Sequence, residues 1–124
     1  MRFAAAALLI AVSSAASAAG PLTAGEFLAR AEPLMKKSKI TLMFSSEAKA
    51  LMKAVGEAAR KTRANSEAAR AAGRPTDTCL PTGKASVNAD ELLAYLRALP
   101  PQRRSESFDR AFGGYAAKKY PCRG

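Results

Sequence analysis

The groups best suited to chemistry in this chain are two thiols, Cys79 and Cys122, one adjacent carboxylate pair, Asp90 and Glu91, and a large excess of cationic side chains. The 124 residues include no His and no Trp. Without imidazole there is no Ser/His or Cys/His nucleophile pair and no imidazole metal site. Two thiols alone do not complete a four-ligand zinc site. They also stand too far apart for a Cys-x-x-Cys redox motif, so a structural bridge is the expected use of the pair. Neighbouring positions on a helix point about 100° apart, so Asp90 and Glu91 do not converge on one substrate atom. Their place in a first helical turn accounts for them as cap and dipole partners. We expect no catalytic residue, no metal, no cofactor and no enzyme activity.

The cationic excess is the main chemical signal. Lys plus Arg is 20 against 10 for Asp plus Glu, a formal charge of +10. Lys36, Lys37 and Lys39 cluster in one place. Lys49, Lys53, Arg60, Lys61, Arg63 and Arg70 punctuate a later stretch, and Lys118, Lys119 and Arg123 sit near the end. One use of such a field is to steer an acidic partner: a protein surface, an anionic envelope surface, or nucleic acid. The plainer use is a solvated face with charges near helix C-termini, laced with intrahelical pairs such as Glu57 with Lys61 and Glu67 with Arg70.

The elements that must position these groups read as helices, with no strand. Thr23 and Glu26 form a capping-box pattern, with Leu22 placed to staple on Phe27. The first helix is expected to run to about Lys37, with Phe27, Ala31, Leu34 and Met35 inward. Pro33 is expected to kink or split it near Glu32. The run Ile40 to Phe44 reads as a helix start or a buried connector. Ser45 or Ser46 then caps a long helix over about 46–72, closed by Gly73 and Pro75. Its expected inward stripe is Ala48, Leu51, Met52, Val55, Ala59 and Thr62, and its second half is expected to project beyond the core. After a loop holding Cys79, Asn88 and Glu91 repeat the capping grammar, with Val87 against Leu92. That helix, about 89–98, buries Leu92, Leu93, Leu96 and Leu99, and Pro100–Pro101 stops it. Ser105 is expected to open a last helix over about 106–119, with Phe108, Ala111, Phe112, Tyr115 and Ala116 inward. Gly113–Gly114 inside it marks a close helix crossing or a local break. Tyr95, Tyr115 and Tyr120 read as packing residues before interface anchors. The fold class expected is an all-α bundle of four or five small helices.

Residues 1–20 read as a secretory signal and not as part of the fold. Arg2 gives a positive start, Ala4 to Val12 an apolar run too short to span a bilayer, and Ala16-Ser17-Ala18 a small-residue cleavage site. The expected mature chain, 21–124, is one helical domain with nineteen basic and ten acidic groups. Export to an oxidising compartment such as the periplasm favours a disulfide between Cys79 and Cys122. One thiol precedes the third long helix and the other follows the last. An antiparallel hairpin of those two helices brings such positions together. The mature segment holds only 17 Leu, Ile, Val and Phe, so its core is thin and a crosslink matters.

The second half has a further pattern: Cys79-Leu80-Pro81 and Gly83, Leu92 and Tyr95-Leu96 on a helix, Pro100 or Pro101 with Arg103 or Arg104, and a closing Tyr120-Pro121-Cys122. Over residues 79–124 this resembles the Rap/Tai-type immunity proteins of type VI secretion systems. The resemblance implies a small, exported, all-helical protein that binds and blocks a peptidoglycan amidase toxin in the periplasm, and it allows a homodimer. Two further cysteines usual in that family have no counterpart here, where Ser45, Ser46, Lys49 and Gly56 stand, and the resemblance assigns no partner-contacting residue. The reading of another class is a general envelope factor: a small helical chaperone, or a basic module on anionic lipid or cell wall. Nucleic acid drops out as a partner because export removes the chain from the cytoplasm. The intact mass of the exported protein is expected to lack the leader, cut near residue 20, and to show both thiols oxidised. A full-length, reduced species would contradict the export reading.

Overall fold

Five α-helices form, each opened by a side-chain cap; the sequence predicts those at Thr23, Ser45 and Asn88 but not those at Ser38 and Ser107. The computed structural model describes residues 22–81 and 87–122, so the expected signal segment, Gly83 and Arg123 lie outside the described residues. The helices are α1 (Ala24–Met35), α2 (Lys39–Met43), α3 (Ser46–Ala71), α4 (Ala89–Ala98) and α5 (Phe108–Lys119), with one 3₁₀ turn at Pro101–Arg103. Side chains of Thr23, Ser38, Ser45, Asn88 and Ser107 each accept a hydrogen bond from the backbone N–H three residues on. Each satisfies an otherwise orphaned donor. Gly73 follows α3 with φ of 68°, the left-handed value that only glycine adopts without cost. No strand occurs among the described residues. Two isolated bridges, Thr23 with Ser107 and Thr78 with Pro121, tie chain ends together.

The core lies between α1 and α5. Phe27 stacks on Phe108 with ring centres 4.1 Å apart, and the contacts continue from Phe108 to Phe112 and Tyr115. Each such aromatic pair contributes about 0.5–1.5 kcal/mol beyond burial alone. Helices α3 and α4 flank this pair. Helix α3 packs through Leu51 and then through the smaller Ala58, Thr62 and Ser66, its buried positions. From α4, Leu92, Leu93 and Leu96 close the other side, joined by Leu99. Start and end of α4 and α5 meet in antiparallel fashion, since Lys119 at the end of α5 reaches Glu91 at the start of α4. Cys79 and Cys122 are bonded, with Cα atoms 4.9 Å apart and a sequence separation of 43. Closing a loop of that length is worth about 4 kcal/mol in the chain-entropy account.

Several expectations are corrected. Helix α1 is continuous through Pro33 and ends at Met35, not Lys37. Pro33 sits so near the end that little helix remains to be split off. Met35 and Met52 are exposed, at 43% and 73%, because no helix covers their faces. Ala58, not Ala59, is fully buried on α3. The run from Ile40 is a separate short helix standing in solvent, not a buried connector. The second half of α3 does not project freely: Thr62 and Ser66 are covered, and Arg63 donates to the carbonyl of Pro81. Ser107, not Ser105, caps α5, while Ser105 donates to the Gln102 carbonyl.

The paired glycines resolve as a close crossing without a break. Helix α5 runs unbroken through both. A Cβ at Gly114 would lie 2.3 Å from the Tyr95 hydroxyl, whereas one at Gly113 meets nothing within 4 Å. Gly113→Ala is therefore expected to stabilise the fold by about 0.5–1 kcal/mol through helix propensity. Gly114→Ala is expected to gain nothing alone, and to recover that gain in a Tyr95→Phe background, where the next contact, the ring carbon at 3.4 Å, is ordinary. A double-mutant cycle by urea denaturation checks both.

Candidate functional site

Four ion pairs close the outer seams of the bundle. Arg30 of α1 pairs with Glu47 of α3, and Lys61 of α3 with Asp109 of α5 at 2.6 Å. Lys119 of α5 pairs with Glu91 of α4, and Arg97 of α4 with Glu32 of α1, both at 2.8 Å. A fifth pair, Arg103 with Glu106, is local. The intrahelical pairs expected on α3 are not made among the described residues: Lys61 is hydrogen-bonded to Asp109, with Glu57 only a weaker charge nearby. Half of the acidic groups are thus spent inside the molecule, and the remaining positive charge faces outward.

That outward charge is not uniform. Lys36, Lys37 and Lys39 follow α1 and open α2, and Lys49 and Lys53 lie on the first turns of α3. All five are exposed, and none enters an ion pair among the described residues. Among them stand all the exposed large apolar side chains of the described residues: Met35, Ile40 at 71%, Met43 at 69%, Phe44 at 81% and Met52. The local sequence explains the arrangement. Helix α2 is five residues long, capped by Ser38 and followed at once by the Ser45 cap of α3. So short a helix has room to turn one residue inward. Leu42 packs against the core and the others radiate outward. We take this lysine-rimmed apolar corner as the candidate site.

The other sequence-derived candidates fall into structural roles. The Cys79–Cys122 pair is bonded, and no free cysteine occurs among the described residues. Glu91 donates its backbone N–H to the Asn88 cap, and its carboxylate accepts from Lys119 Nζ and the Tyr115 hydroxyl. Asp90 is exposed and stands apart from this network. Tyr115 is buried, edge-on to Tyr95 at 6.0 Å. Tyr120 is half-buried, with Lys119 over its ring. Lys118 and Lys119 belong to the α4–α5 end, away from the corner.

Two grooves are also present. One of about 850 Å³ lies between α3, α5 and residues 75–78, and its central charges are the Lys61–Asp109 pair. The other, about 610 Å³, runs over Tyr95, Leu99 and Tyr115 between α4 and α5, rimmed by Arg103, Lys118 and Lys119. The fold and this surface define a class: a disulfide-fastened helical bundle with an exposed basic, apolar corner. Comparison with known proteins returns no match among family models, curated sequences or solved structures.

The sequence held one sign of the corner, the apolar Ile40–Phe44 run with no partner strand in view. The seam pairs add a modest pH dependence. The hydrogen bond from Lys119, aided by its charge and by Tyr115, holds the Glu91 carboxyl below its ordinary value, and Arg30 does the same for Glu47. The reciprocal bonds raise Lys119 and Lys61. The carboxylate contribution is present above the ordinary carboxylate value and is lost as pH falls through the depressed one. The lysine contribution is present below the ordinary lysine value and is lost as pH rises through the raised one. Melting temperature is therefore expected to be flat through neutrality and to fall at both extremes. Glu91→Gln is expected to lower it at neutral pH and to converge with the native chain in acid. Curves that stay parallel into acid would refute the assignment.

Proposed function

We propose that this chain is an exported, non-enzymatic binding protein. One observation carries the reading: Ile40, Met43, Phe44 and Met52 are held in solvent on a fastened bundle, rimmed by five lysines. Contiguous exposed apolar side chains with a polar rim mark interaction surfaces. Export is supported by the signal-like character of residues 1–20, and the disulfide is compatible with an oxidising compartment.

The frame over residues 79–124 gives this reading its specific form, an immunity-like inhibitor that occludes a periplasmic peptidoglycan amidase. The α4–α5 hairpin that carries the frame offers the groove over Tyr95, Leu99 and Tyr115, and the net positive charge would speed association with an acidic partner. The chain, expressed with its own leader and tagged, is expected in the periplasmic fraction. There it is expected to retain a cell-wall hydrolase at one-to-one stoichiometry and to inhibit it. Retention of no hydrolase at either low or high salt, or an uncleaved chain in the cytosol, overturns this form.

A further inference from the structure

The geometry points to an anionic phospholipid bilayer as the occupant of the lysine-rimmed corner, with Phe44, Ile40 and Met43 entering the interface between headgroups and acyl chains. This deepens the binding-protein reading and rests on it. Charge complementarity is the first argument. All five cations of the corner are lysines, and no arginine occurs between Arg30 and Arg60. Protein interfaces favour arginine and are depleted in lysine, whereas clustered lysines suit the phosphates of a lipid surface. The single carboxylate between residues 33 and 56 is Glu47, and Arg30 neutralises it.

Shape is the second argument. The apolar side chains radiate from a five-residue helix and the first turns of α3, so the corner projects outward. Neither groove described above includes any of these residues. A projecting apolar tip suits a soft, deformable surface. Lysine stems lie along the apolar groups while their ammonium heads stay at phosphate level. No helix among the described residues is long and apolar enough to cross a membrane, so the association would be peripheral. The corner lies at the N-terminal end of α3, which spans 26 residues, about 39 Å. The α4–α5 groove lies elsewhere on the bundle and would stay open to a protein partner.

The absence of tryptophan supplies the probe. Full-length mature protein carrying Phe44→Trp is mixed with vesicles of phosphatidylglycerol and phosphatidylcholine, and with vesicles of phosphatidylcholine alone. A blue shift with the anionic vesicles only is expected, while Tyr120→Trp, placed at the disulfide end, shows no vesicle-dependent change. Each Lys→Gln substitution at Lys36, Lys37 or Lys39 is expected to weaken binding about fivefold. Phe44→Ser is expected to weaken it about tenfold or more, with an unchanged melting temperature because the ring is exposed. No vesicle binding, equal binding to phosphatidylcholine, or binding indifferent to Phe44→Ser would each overturn the inference. A blue shift on a protein partner but not on vesicles would overturn it too, and inorganic phosphate reproducing the shift would reduce it to simple anion binding. Vesicle binding with no hydrolase retained would leave this inference standing and remove the inhibitor reading. Hydrolase retention without vesicle binding would do the reverse.

Discussion

The stacked rings of Phe27 and Phe108 are the contact around which the rest of the molecule is arranged. They join the two helices that share the centre of the bundle, α1 and α5. The starts of those helices are locked in register by backbone bonds. Phe108 donates to the Leu22 carbonyl, Ala24 to Glu106 and Gly25 to Arg104. The ring contact therefore comes with a fixed geometry. Once α1 and α5 are set, α3 and α4 find their places on either side, and the four seam pairs form at the edges. Those pairs are exposed and each adds little. Their value lies in disfavouring other rotations of the flanking helices.

A thin core explains what is left outside it. Much of the buried surface is alanine: Ala24, Ala31, Ala58, Ala111 and Ala116 are all nearly inaccessible. Alanine lets helices approach closely but removes little apolar area from water. In such a molecule, leaving Ile40, Met43 and Phe44 exposed forgoes burial that the fold had reason to use. Had α2 been longer, it could have turned a full stripe inward. At five residues it is held by Leu42 and by the caps at Ser38 and Ser45. The disulfide offsets part of that loss from the other end of the chain.

Local grammar made much of this legible. Helix α4 falls at 89–98 because Asn88 and Pro100 bracket it unambiguously, and α3 is nearly as sharp between Ser45 and Gly73. Two serines flank Glu106, and sequence alone favoured the wrong one. Ser107 wins because Glu106 and Phe108 are bonded to α1, a long-range constraint. Periodicity put Met35 and Met52 on the inward stripes, yet both are exposed, since no helix covers them and periodicity alone could not say so. Lys61 has an acidic neighbour one turn away in Glu57, yet pairs across 48 positions with Asp109. Such choices depend on which faces meet, and that is not written in any one helix.

The same distinction bears on the corner. A stripe left uncovered by accident would be expected to carry mixed charge around it, since nothing would select among the neighbouring positions. Here the neighbours are lysines on three separate elements: the end of α1, the start of α2 and the first turns of α3. Glu47, the carboxylate that falls among them in sequence, is held by Arg30 at the α1–α3 seam. The pairing that fastens the bundle thus also neutralises Glu47 beside these lysines. Rigidity adds to it, because side chains displayed on a bundle closed by a covalent tie lose less freedom on docking than the same residues on a loose segment. At this corner the Arg30–Glu47 pair serves both the fold and its surface, while the lysines and the exposed apolar side chains contribute nothing to the core.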